Sequence, residues 1–132
     1  MATYKERIEE QRIATRRYIL SKFDDRCAYC GCELDMDSLN VDHVVSKQAY
    51  RRIKEDLPSN FEVDGIDNLF PACQSCNCSK CDGSVEWYRD KIHELRTSLL
   101  DLSPKVKIAM RLGYLTFSNK PIIFHFEKYQ NG

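Results

Sequence analysis

Cys73-Gln-Ser-Cys76-Asn77-Cys78-Ser79-Lys80 decides how this chain is read, because Cys27-Ala-Tyr-Cys30 lies upstream of it with the same cysteine spacing. Two residues between the cysteines of a pair let both sulfurs turn toward one point, so two such pairs present four thiolates to one tetrahedral zinc. Working outward, the interval between the pairs holds Asn40-Val41-Asp42-His43-Val44-Val45, a carboxylate beside an imidazole. Asn77 adds an amide just past the second pair, where a helix is expected to begin. The interval is wider than in a simple zinc ribbon, so a strand and a helix must fold inside the loop. The pattern is that of a catalytic constellation enclosed by a structural metal clip.

Composition sets the frame. At 132 residues the chain suits a single domain spanning 1–132, with a core at about 24–84, an N-terminal helix over 3–23 and a helical and hairpin extension over 84–130. A zinc ion helps such a small core, which has little apolar surface to bury. There is no long apolar run and no signal-like start, so the expectation is a soluble, cytoplasmic protein with no membrane partner. Lys and Arg number 20 against 20 Asp and Glu, which argues against a chain that coats nucleic acid by bulk charge. Seven cysteines, an odd number, speak against a secreted disulfide framework. Cys32, Cys78 and Cys81 are left over; they read as reduced cysteines, with a substitute zinc ligand as the alternative.

Along the chain, Thr3 to Phe23 has no Gly or Pro and reads as a helix, with Arg12, Arg16 and Arg17 at helical spacing. Leu39 to Val45 is a short β-branched run, which puts His43 on a strand. In a regular strand Asp42 and His43 face opposite sides, so the pair is expected where the strand twists or ends. Ser46 caps a predicted helix running to about Leu57 and stopped by Pro58, on which Lys47, Arg51 and Lys54 share a face. A polar turn-like stretch from Ser59 to Asp67 returns the chain to a second strand at Asn68-Leu69-Phe70, and a helix follows from about Gln74. Beyond Ser84, the three-four spacing of Val85, Tyr88, Ile92, Leu95, Leu99 and Leu102 predicts a long amphipathic helix whose stripe serves as core or dimer seam. Ser103-Pro104 starts a short basic helix ending at Gly113. Tyr114 to Phe117 and Ile122 to Phe126 are expected to form a hairpin. His93, His125 and Trp87 read as packing or surface residues.

Taken in order, Cys27 to Cys30, the Asp42-His43 strand, Asp67-Asn68-Leu69-Phe70, and Cys73 to Lys80 resemble the HNH (ββα-metal) endonucleases, whose pattern runs CxxC, Asp-His, Asn-Leu, then CxxC followed by His or Asn and a Lys. The match covers about the middle 55 residues and rests on four elements agreeing in order. Its last letter is Asn77 rather than His, as in some members of the family, including the HNH domain of RNA-guided nucleases. The resemblance implies an α+β fold, a zinc-stapled ββα-metal core flanked by the N-terminal helix, the long C-terminal helix and the terminal hairpin.

Hydrolysing a phosphodiester needs a base for water and positive charge on the non-bridging and leaving oxygens. The resemblance implies that His43 is that base and that Asp42 and Asn77 hold one Mg2+ or Mn2+, an ion suited to a carboxylate and an amide oxygen. It further implies a structural Zn2+ on Cys27, Cys30, Cys73 and Cys76, and an Asn68 that fixes the loop against His43, holding the Nδ1 proton so that Nε2 faces the water. DNA is the implied substrate, with RNA left open. Lys47, Arg51, Lys54 and Lys80 are the candidate phosphate contacts, and a second copy or a partner such as an ATPase is the expected company.

Two readings from other classes compete. A zinc module that binds nucleic acid without catalysis keeps the four cysteines but has no use for Asp42, His43 and Asn77 together. A thiol switch built on Cys32, Cys78 and Cys81 explains neither the histidine nor the asparagines. The combination favours an endonuclease.

Overall fold

A computed structural model describes residues 1–130, with the side chains of Arg96, Leu100, Asp101 and Leu102 outside the description, so the last position of the apolar stripe lies beyond it. Helix α1, Tyr4–Ser21, opens on a reciprocal cap: the Glu6 amide donates to Thr3 Oγ1 at 3.1 Å and the Thr3 amide donates to Glu6 Oε2 at 2.8 Å. Only Ile19 and Leu20 at its far end are buried, and residues up to Thr15 are exposed. Asp24 and Asp25, both at positive φ, then reverse the chain into the first cysteine pair. There the Cys27 amide donates to the Cys32 carbonyl and the Gly31 amide to the Cys27 carbonyl, with Gly31 at φ +78°, a turn suited to a residue without Cβ.

Strand β1, Asn40–His43, pairs antiparallel with β2, Leu69–Ala72, in the register Asn40 to Ala72 through His43 to Leu69. Helix α2, Lys47–Ile53, starts on Ser46, whose hydroxyl accepts from the Ala49 amide at 3.0 Å. Helix α3, Gln74–Lys80, takes Cys73 as its N-cap. Helix, strand pair and helix thus form an α+β core in which α1 packs on β2 and α3 on β1. Its apolar centre is aromatic. Phe23, Tyr29, Phe70, Phe124 and Phe126 meet with ring centroids 4.9 to 6.4 Å apart, close enough to gain stacking and edge energy beyond area burial.

The chain divides into two compact units, Met1–Ser84 with the segment from Ile123 onward, and Val85–Ile122. In the second unit the long C-terminal helix runs as α4, Val85–His93, and α5, Leu95–Leu102, with hydrogen bonds carried through the joint from Glu94 to Asp90 and from Ser98 to Glu94. Helix α6, Pro104–Arg111, follows and packs on α5.

The terminal hairpin is not formed. Residues 114–124 pair with no strand among the described residues, and His125–Tyr129 is a 3-10 turn. The reason is competition for the same donors: the His125 and Phe126 amides go to the carbonyls of Tyr29 and Ala28, at 3.0 and 2.7 Å, while Phe124 and Phe126 join the aromatic core. A second correction falls on α2, which ends at Ile53 and tightens into a 3-10 turn at Lys54–Asp56 rather than running to Leu57. No helix among the described residues is long and apolar enough to cross a membrane.

Candidate active site and metal centre

The sulfurs of Cys27, Cys30, Cys73 and Cys76 all lie within 4.8 Å of one another, and the Cys30 and Cys73 sulfurs are 3.8 Å apart. A tetrahedral zinc with bonds of about 2.3 Å requires sulfur separations of about 3.8 Å, so the four donors fit that ion. The Cys76 thiol and the surrounding backbone amides draw the Cys27 thiol down to about 4, whereas burial pushes the Cys30 thiol up. Four sulfurs this close cannot share several negative charges unless a cation lies among them. Cys32 sits beside the cluster but outside it, its thiol pushed up to about 12 by burial and by the Cys30 and Cys73 sulfurs. Cys78 and Cys81 are exposed, and the Cys81 thiol donates to the Cys78 carbonyl at 2.8 Å.

A cleft of about 470 Å³ opens at the end of β1 and brings Asp42, His43 and Asn77 together with Lys47, Arg51 and Asp82. Strand alternation turns Asp42 inward, where it is 4% exposed, while His43 lies more open. The Asp42 carboxylate accepts the Tyr29 hydroxyl and an ion pair from Lys80 Nζ at 3.2 Å. Burial and the Asp42 charge hold the Tyr29 phenol well above its usual range, which keeps it a donor. Asn77 reaches the same cleft because it directly follows Cys76 on α3. A carboxylate with lone pairs left after two donors, beside an amide in one cleft, suits a hard divalent ion with few protein ligands.

The family model described as HNH endonuclease matches residues 27–83. Residues 27–83 are thus matched as an HNH endonuclease domain. The SPbeta prophage-derived protein YoqL of Bacillus subtilis (strain 168), which carries the HNH endonuclease name, is 33% identical over 76 residues, 50% of this chain. The match spans only 28% of that relative. No solved structure matches the chain.

Within the HNH domain, the remaining predicted residues divide. Asn68 is buried and braces the segment after His43, but through the backbone: its Oδ1 accepts from the Val45 amide at 2.9 Å and its Nδ2 donates to the carbonyls of Val45 and Val63. The imidazole takes a different partner. His43 Nε2 lies 2.9 Å from Asp64 Oδ1, so the nitrogen expected to face water is the one already engaged. Nδ1 has no hydrogen-bond partner among the described residues. Asp64, also 3.6 Å from Lys47 Nζ, has its carboxyl held below the usual range by the His43 hydrogen bond.

Lys47 and Arg51 line the cleft, whereas Lys54, in the 3-10 turn after α2, is not among its lining residues. Lys80 leaves the list of phosphate contacts: it is 0% exposed, and its ammonium also donates to the carbonyls of His43 and Val44 at 3.3 Å. The predicted helix-surface lysine is a core residue, since α3 turns that face onto β1. Asp64 and Tyr29 are the residues that sequence reasoning missed. Asp64 lies in a polar loop with no periodic signal, whereas Tyr29, between two metal-type cysteines, could have been flagged by its fixed place in the clip.

Proposed function

We propose that this HNH domain hydrolyses phosphodiester bonds in DNA, with His43 as general base, Asp42 and Asn77 holding one Mg2+ or Mn2+, and Zn2+ on Cys27, Cys30, Cys73 and Cys76 as a structural ion. The observation that carries the reading is the single cleft shared by Asp42, His43, Asn77, Lys47 and Arg51. A divalent ion bound there would supply positive charge to the phosphate oxygens. The protein's own groups account for the rest. Asp64 accepts a hydrogen bond from His43 Nε2, which fixes the tautomer and leaves the Nδ1 lone pair to take a proton from water. Asn68 locks the strand exit, so the ring is presented from a rigid base. Lys47 and Arg51 supply phosphate contacts that position the strand without reading bases. The setting we infer is restriction, phage or anti-phage defence, in keeping with the prophage origin in the name of the relative.

Supercoiled plasmid incubated with purified protein, with and without Mg2+ or Mn2+, tests the proposal. Relaxed or linear product should form only with the divalent ion and should vanish in His43→Ala. Plasmid left intact by the parent protein, or cut equally by His43→Ala, would overturn it.

A further inference from the structure

Asp42 is held from two directions, and both of its partners belong to segments that the four cysteines pin. Tyr29 lies between Cys27 and Cys30, and its hydroxyl donates to Asp42 Oδ2. Lys80 lies one helical turn past Cys76 on α3, with its ammonium 3.2 Å from the same oxygen. Tyr29 is 2% exposed, Lys80 0% and Asp42 4%, so water does not compete for these bonds. The Tyr29 ring is itself fixed edge-on against Phe124 and Phe126, with centroids 5.4 and 6.1 Å away. A phenol held that rigidly permits few orientations of the carboxylate it bonds.

We propose that Tyr29 is a positioning residue that ties the four-cysteine site to the cleft by fixing the Asp42 carboxylate for its divalent ion. The proposal rests on the reading of Asp42 as a ligand of that ion. Carboxylate ligands that are themselves hydrogen-bonded lose less orientational freedom on binding, and removing such an outer partner weakens metal affinity by about 10–100-fold. The four-cysteine site thereby acquires a second task. Besides stapling the core, it sets the direction of the carboxylate through the tyrosine in its own loop.

The test is Tyr29→Phe in the zinc-loaded full chain, which removes one hydroxyl and keeps the ring in the aromatic core. Mn2+ binding is measured by electron paramagnetic resonance on a nuclease-dead His43→Ala background bound to a DNA duplex, beside Asp42→Asn on the same background. Tyr29→Phe should raise the Mn2+ dissociation constant about tenfold. Zinc content should stay unchanged, as should duplex affinity without added divalent ion. That split separates positioning from general loosening, which would shift duplex affinity as well. If Asp42→Asn weakens Mn2+ binding and Tyr29→Phe does not, the role of Tyr29 is overturned while Asp42 stands. If Asp42→Asn itself leaves Mn2+ binding intact, the ligand reading fails and the Tyr29 proposal falls with it.

Discussion

Replacing Lys80 with Met tests the buried ion pair beneath the cleft. The ammonium is 0% exposed, pairs with an Asp42 carboxylate that is 4% exposed, and also donates to the carbonyls of His43 and Val44. Methionine fills nearly the same volume, so packing changes little. What changes is charge: the carboxylate keeps the Tyr29 hydroxyl but loses its cation, and two carbonyls lose a donor. Breaking a buried ion pair from one side costs about 3–5 kcal/mol. For a domain of this size, a loss on that scale lowers the melting temperature by roughly 10–20 °C. Thermal melting of the zinc-loaded protein by circular dichroism reads the effect, with Lys47→Met on the surface as the control that should shift little. The double variant Lys80→Met/Asp42→Asn should regain much of the loss, because no uncompensated charge is left. A Lys80→Met protein melting within a degree or two of the parent would refute the argument.

Cys73→Ser should abolish stoichiometric zinc in metal analysis and unfold the core, since binding and folding are coupled in such sites. Arg51→Ala, on a His43→Ala background, should reduce the salt slope of duplex binding by about one unit, whereas Lys54→Ala, whose side chain lies outside the cleft, should leave it unchanged; binding titrations over a salt series decide this. Asp64→Asn should slow cleavage about tenfold while duplex affinity holds, a fraction of the roughly 10²–10⁴-fold that a general base contributes. Cleavage rates of Asp64→Asn matching the parent would leave His43 without a need for its partner.

The parts of this molecule legible in sequence are those set by short-range spacing. Cys27 to Cys30 and Cys73 to Cys76 converge because each pair is locally constrained, and Ser46 caps α2 because its hydroxyl reaches an amide three residues on. The Asp42-His43 pair at the strand end follows from a two-residue period meeting a chain exit. Partner choice across the fold was not legible. Nothing near Lys80 in the chain announces Asp42, nothing near His43 announces Asp64, and the amides of His125 and Phe126 choose carbonyls far away in sequence over a neighbouring strand. Lys54 falls outside the lining of the cleft, in the 3-10 turn that follows α2, a helix end that no residue type near it marks in the sequence.

The aromatic contribution of Phe124 and Phe126 has a consequence for the order in which the protein is made. A nascent chain exposes all four clustered cysteines well before Phe124 has been added, so the cysteine site can take up a metal ion while one face of the Tyr29 ring is still bare. Only after the whole Val85–Ile122 unit has been translated does the segment arrive that covers that face. Closure of the core is therefore a late event in synthesis, and a message truncated after Gly83 would encode every residue of the family match without the two phenylalanines that seal it.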